Sequence, residues 1–186
     1  MGHLTVILGC MFAQKTTELL RYLRRYQSIG YRVLAINSHH DTRYGNTGEI
    51  VSHDDRREKA RYVEKLSEVE EEVRSRDYQV LVIDEGQFFG DLFEYVTRWA
   101  DECPIHIVVA GLDGTFERDP FGQMLWLIPH AEEVLHLSAL CGICCDGTKA
   151  IYSKRITTKT ELSSDVLLVG GSDTYQPVCR KHYLEM

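Results

Sequence analysis

The chain has 186 residues, 44% hydrophobic and 26% charged, with 14 glycines and 4 prolines, so neither a disordered nor a fibrous class fits. Acidic residues outnumber basic ones 28 to 21, a formal charge of −7 that disfavours nonspecific binding to nucleic acid or an anionic membrane surface. The length suits one medium domain with a small appendage.

The first apolar run, Leu4 to Ala13, is about half of the ~20 residues a membrane helix needs. It resembles a signal-peptide core, but no Lys or Arg precedes it and a charged amphipathic segment follows. Gly2 is a poor myristoylation site because Val6 stands where Ser or Thr is wanted. The six cysteines gather toward the C-terminus, which points to metal rather than disulfides and to a reducing, cytoplasmic compartment.

Strand-length apolar runs recur at Leu4–Leu8, Val33–Ile36, Val80–Ile83, Ile105–Ala110 and Val134–Leu137 without polar alternation, the pattern of strands buried on both faces. Between them Thr16–Ile29 carries Leu19, Leu20, Leu23 and Tyr26 on one helical face, with Gly30 placed to cap its end. Val63–Val73, Asp91–Cys103 and Phe121–Ile128 are further helical candidates. Strands alternating with helices predict an α/β domain, a parallel sheet flanked by helices, over residues 1–138. Residues 139–186 change to paired cysteines, short β runs including Val166–Val169, and Gly170-Gly171, and read as a small β appendage.

Between the first strand and first helix lies GCMFAQKTT, residues 9 to 17. A phosphate-binding loop needs backbone N–H groups curled at a helix N-terminus, a lysine for the β/γ-phosphates and a hydroxyl for Mg²⁺. Gly9, Lys15 and Thr16 meet that pattern, while Gln14 occupies the place of the second glycine. Cys10 lies inside the loop, where a helix N-terminus would favour thiolate; the other reading is a small buried side chain. Asp84-Glu85 ends the strand Val80–Ile83, the position where open α/β sheets place ligands. One carboxylate could engage the magnesium shell and the other accept a proton from an acceptor hydroxyl.

Cys141 and Cys144 form a C-x2-C pair, and Cys179 and His182 a C-x2-H pair. Two such pairs can close a tetrahedral structural zinc site, with Cys145 as an alternative to Cys144.

The stretches GCMFAQKTTELLRYLRRYQ, DTRYG, IDEGQFF, AGLDGTFERDPFG, CGIC, YSKR and VGGSDTYQPVCRKH together resemble the type II thymidine kinases, the zinc-bearing cellular and poxviral class. The resemblance covers nearly the whole chain and implies a P-loop NTPase-like kinase domain over 1–138, then a zinc-binding subdomain over 139–186 whose lasso loop covers the substrate. It implies ATP and Mg²⁺ at Gly9, Met11, Phe12, Ala13, Gln14, Lys15, Thr16, Thr17 and Asp84. Glu85 would be the base acting on the thymidine 5′-hydroxyl, with Lys15 and Arg43 at the transferred phosphate. The nucleoside site would draw on Met11, Asp41, Arg43, Phe88, Leu112, Thr115, Phe116, Phe121, Ser153, Val169, Gly171 and Tyr175, and zinc on Cys141, Cys144, Cys179 and His182, the last standing where many relatives have a fourth Cys. Deoxyuridine as a further substrate, feedback inhibition by dTTP and a homotetramer are also implied, without nucleic-acid or membrane partners. A competing reading, a nucleotide-binding sensor or assembly protein with impaired catalysis, rests on Gln14 alone.

Overall fold

Parallel strands need a crossover between them, and a helix packed on the sheet supplies it while burying its own apolar stripe. In this computed structural model, which describes residues 1–40, 48–51, 57–156 and 171–185, the chain follows that plan. It runs β1 (His3–Gly9), α1 (Lys15–Gln27), β2 (Val33–Ser38), an antiparallel pair of β3 (Glu49–Val51) and β4 (Arg57–Lys59), β5 (Arg61–Val63) and α2 (Glu70–Arg74). There follow β6 (Val80–Ile83), α3 (Leu92–Glu102), β7 (His106–Gly111) and β8 (Glu133–Leu137). The C-terminal part holds β9 (Ala139–Leu140), β10 (Lys149–Ala150), β11 (Tyr152–Arg155), β12 (Tyr175–Val178) and α4 (Arg180–Leu184).

The central sheet has the order β5-β2-β6-β7-β1-β8, and every pairing in it is parallel. Side chains alternate between two cores, as the period of a strand dictates. Leu4, Val6 and Leu8 of β1 join Ile107 and Val109 of β7 against Phe89, Val96 and Trp99, while Ile7, Val108 and Ala110 meet Leu19, Leu20 and Leu23 of α1 on the other face. All five expected apolar runs are strands of this sheet.

Three expectations are corrected. Val63–Val73 is not one helix: Val63 ends β5, a 3₁₀ turn covers Leu66–Val69, and α2 has only 5 residues. Glu68 accepts the N–H groups of Glu64 and Lys65, and Asp91 those of Leu66 and Ser67, so these donors are satisfied without an earlier helical turn. Phe121–Ile128 is a 3₁₀ segment, Met124–His130, because Gly122 takes φ +56° and Pro129 brings no N–H donor. β8 is not buried on both faces: it is an edge strand whose residues alternate half-buried with exposed, leaving Val134 40% exposed.

The C-terminal part adds two antiparallel pairs, β9 with β10 and β11 with β12. A third core joins it to the loop after β1, where Cys10 and Ala13 pack with Ala139, Cys141, Ala150 and Val178. The run Val166–Val169 lies outside the described residues. Among the described residues no helix is long and apolar enough to cross a membrane.

Candidate functional site

The loops after β1, β6 and β7, three neighbouring strands, leave the same end of the sheet and bring the chemistry together. The loop after β1 curls because its backbone takes left-handed values at Phe12 (φ 65°) and Gln14 (φ 66°). Gly9 begins the curl at φ +150°, and a β-carbon there would run into the carbonyl of Leu137 on β8. Gln14 therefore already holds the conformation that glycine favours at this place, with its side chain exposed, and α1 starts at Lys15. Lys15 Nζ donates to the Cys10 carbonyl at 2.8 Å, folding the amine back over its own loop.

Asp84 and Glu85 follow β6 and are both buried. Asp84 Oδ1 accepts from Thr16 Oγ1 at 3.4 Å and from the Glu85 N–H at 3.0 Å. A hydroxyl and a carboxylate oxygen side by side are hard donors of the kind Mg²⁺ takes. Glu85 is itself left-handed, at φ 52°, and Gln87 Nε2 donates to its Oε2 at 2.5 Å. Lys15, Thr16, Thr17, Glu85, Met11, Phe12, Gln14 and Leu112 line one cavity. An amine, a hydroxyl pair and a carboxylate thus share a cleft at a helix N-terminus, a setting suited to an anion and a proton-donating acceptor.

Cys10, by contrast, is a small buried side chain. It is 3% exposed, its Sγ donates to the Ala150 carbonyl at 3.4 Å, and burial pushes the thiol up despite the nearby Lys15 amine. The thiolate reading is thereby set aside.

Cys141, Cys144, Cys179 and His182 bring their ligand atoms within 4.8 Å of one another. The Sγ atoms of Cys144 and Cys179 are 3.8 Å apart, and His182 Nδ1 lies 3.5, 3.3 and 3.5 Å from the sulfurs of Cys141, Cys144 and Cys179. A tetrahedral zinc with sulfur at about 2.3 Å and nitrogen at about 2.0–2.1 Å has edges of roughly 3.8 and 3.5 Å, so the donor set fits. Cys145 is exposed at φ 52°, with its Sγ on the Gly142 carbonyl, and Cys144 is the member turned inward. Burial raises the Cys141 thiol, but the backbone N–H groups of Cys144, Cys179 and Ile143 outweigh it and favour the thiolate a metal needs, while burial and the neighbouring Cys141 push the Cys144 thiol up.

The thymidine kinase family model matches residues 2–183. The chain belongs to the thymidine kinase family. It is 45% identical to the thymidine kinase of monkeypox virus over 184 residues, 99% of this chain and 98% of that one. Against the thymidine kinases of vaccinia virus (strain Western Reserve) and variola virus (isolate Human/India/Ind3/1967) it is 44% identical over 184 residues, with the same coverage.

Of the remaining expected positions two line the cleft, and the others are described by the contacts they make. Met11 and Leu112 are in it, and Ser153 touches it by accepting the Met11 N–H at 3.0 Å. Phe88 and Phe121 meet edge to face with centroids 5.8 Å apart. Phe116 and Tyr175 are linked through Arg155, whose guanidinium lies 5.5 Å from the Phe116 ring while the residue pairs with Tyr175 across β11 and β12. Tyr175 is 6% exposed, and burial pushes its phenol up. Ser153 and Thr115 also line a second cavity, but the Thr115 Oγ1 accepts the N–H groups of Glu117 and Asp119 in its own turn. The Gly171 N–H donates to Asp173, and its carbonyl accepts from Thr174 and Tyr175. Asp41, Arg43 and Val169 lie outside the described residues.

Two features drew no attention from the sequence. Gln87, inside IDEGQFF, is buried at 4% exposure and ties the loops after β6 and β7 by accepting the Leu112 N–H at 2.9 Å. A single amide between glycine and two phenylalanines in a buried turn was the available signal. Tyr183 of α4 donates its hydroxyl to the Phe116 carbonyl at 2.7 Å, and Arg118 lies 4.6 Å over its ring, which fastens the Cys3His cluster to the loop after β7.

Proposed function

We propose that this thymidine kinase moves the γ-phosphoryl group of ATP to the 5′-hydroxyl of thymidine in the cleft between Lys15 and Glu85. The cavity those two residues share is the observation that carries the reading. The curled loop and the start of α1 offer backbone N–H groups to the phosphates, and Lys15 supplies a positive charge beside them. Thr16 and Asp84 are the residues that would hold Mg²⁺, which when bound neutralises charge on the β- and γ-phosphates.

Glu85 accepts the proton of the 5′-hydroxyl as the oxygen–phosphorus bond forms and the bond to ADP breaks. Arg43 is assigned to the transferred phosphate and Asp41 to the nucleoside by kinship alone. Met11, Phe88, Leu112, Phe116, Phe121 and Tyr175 supply flat or apolar walls for the pyrimidine, with Ser153, Thr115 and the backbone at Val169 and Gly171 as its polar neighbours. Cys141, Cys144, Cys179 and His182 would hold a zinc closed to solvent by four protein ligands, which leaves it structural.

The decisive experiment is a coupled assay of ADP release with and without thymidine. Thymidine-dependent release is expected, and Glu85→Gln should lower kcat by about 10²–10⁴-fold with an unchanged melting curve. A nucleotide sensor with impaired catalysis would release ADP at the same slow rate in both conditions. Its motive was Gln14, yet the loop is curled with Gln14 in place. By the same kinship the reading extends to deoxyuridine as substrate, dTTP as feedback inhibitor, a homotetramer and a cytoplasmic location. Competition assays, light scattering and cell fractionation test them.

A further inference from the structure

We propose that Gln87 is a positioning residue, whose side-chain amide aims the Glu85 carboxylate and at the same time fixes that carboxylate's distance from the nucleoside wall at Leu112. The inference rests on the reading of Glu85 as proton acceptor. Gln87 is 4% exposed, its Nε2 donates to Glu85 Oε2 at 2.5 Å, and its Oε1 accepts the Leu112 N–H at 2.9 Å. An amide is suited to both tasks, since its tip carries a donor and an acceptor, whereas an ionised carboxylate has no donor and a thioether offers neither in strength. The bond to Glu85 is buried, where a hydrogen bond counts for more than in water and an unpaired partner costs more.

The surroundings leave this amide little freedom. A β-carbon on Gly111 would come within 2.7 Å of Gln87 Oε1, and one on Gly122 would collide with the Gln87 carbonyl oxygen. The turn itself is tight: Glu85 sits at φ 52°, the Phe88 N–H donates to the Glu85 carbonyl at 3.1 Å, and the Phe89 N–H to that of Gly86 at 3.2 Å. A left-handed glutamate is a strained choice that persists only where neighbours hold it, and such strain clusters at working sites. The Gln87 side chain therefore couples the loop after β6 to the loop after β7 by hydrogen bonds, beside the ring contact of Phe88 with Phe121. Loss of its donor lets the carboxylate swing, and loss of its acceptor lets Leu112 move.

Steady-state kinetics on the full chain separate these effects. Gln87→Met removes both hydrogen bonds and is expected to lower kcat by about 10–100-fold, the scale of a misplaced reacting group, and to raise the thymidine KM. Gln87→Glu keeps an acceptor for Leu112 but sets a second carboxyl against Glu85, where the two share a proton and weaken Glu85 as a base, so kcat at neutral pH should fall while the thymidine KM stays within about twofold, and this variant carries the test if Gln87→Met fails to fold. In a Glu85→Gln background Gln87→Met should lower kcat by no more than about threefold further, because an amide that acts through Glu85 has nothing left to aim.

Fully multiplicative losses in the double variant, or wild-type kcat in Gln87→Met or in Gln87→Glu, would overturn the inference. Either result alongside a collapsed Glu85→Gln leaves the reading of Glu85 standing. Full turnover in Glu85→Gln removes that reading, and the inference with it.

Discussion

Ser153 Oγ accepts the backbone N–H of Met11 at 3.0 Å, so a strand beyond the cysteine pair Cys141–Cys144 reaches back to the loop that follows β1. Both residues are buried, and an N–H left unpaired there costs about 1–3 kcal/mol. Ser153→Ala should lower the unfolding free energy by that amount in urea melts. Because Met11 also lines the cleft, the KM for both substrates should rise, not that for thymidine alone.

Metal analysis should return one zinc per chain, lost in Cys179→Ser and in His182→Ala. Tyr183, on the helix that follows Cys179, holds the Phe116 carbonyl, so removal of the metal frees that anchor. One such hydrogen bond is worth about 1–1.5 kcal/mol, close to tenfold in affinity. We expect the thymidine KM to rise by about that factor while the ATP KM moves less. Equal changes in both would show that the Cys3His cluster supports the fold without reaching the nucleoside wall.

Gln14→Gly replaces a left-handed residue at φ 66° by one that adopts it without strain. The gain is about 1 kcal/mol, offset in part by the freer unfolded chain. A higher melting temperature with an unchanged ATP KM is expected, since the curl is already formed. A large fall in the ATP KM would mean that the glutamine side chain obstructs phosphate capture.

Tyr22 donates its hydroxyl to Glu133 Oε2 at 2.7 Å, joining α1 to the edge strand β8. Burial, and then the bond to Glu133, push its phenol up to about 12 from the ordinary value of 10.0. The fold thus favours the neutral form, so this contribution is complete below pH 10 and drains away as pH rises toward 12. Tyr22→Phe should cost about 1 kcal/mol in urea melts near neutrality and lose less stability than the parent protein on going to about pH 11.

Much of this was legible in the residues because bulk hydrophobicity and spacing decide it. Val80–Ile83 can only be an interior strand, and C-x2-C with C-x2-H can only close around something small. β5 escaped notice because Arg61, Tyr62 and Val63 carry no apolar run, and their pairing with β2 depends on tertiary contact. The choice between Cys144 and Cys145 turned on a backbone angle, left-handed at Cys145, that composition does not encode. Gln87 stands out locally as an amide between glycine and two phenylalanines, but its role lies in reaching Leu112 across 24 intervening positions, and nothing local marks that partner.

β7 lies between β1 and β6, so the loop bearing the ammonium and the loop bearing the carboxylates spring from strands one place removed from each other. At about 4.8 Å per strand step, their roots stand roughly 9–10 Å apart. That span is a property of main-chain spacing, and no side-chain replacement can stretch or shrink it. Altered tolerance toward bulkier sugars or longer polyphosphates must therefore come from remodelled loop tips, above an aperture of constant width.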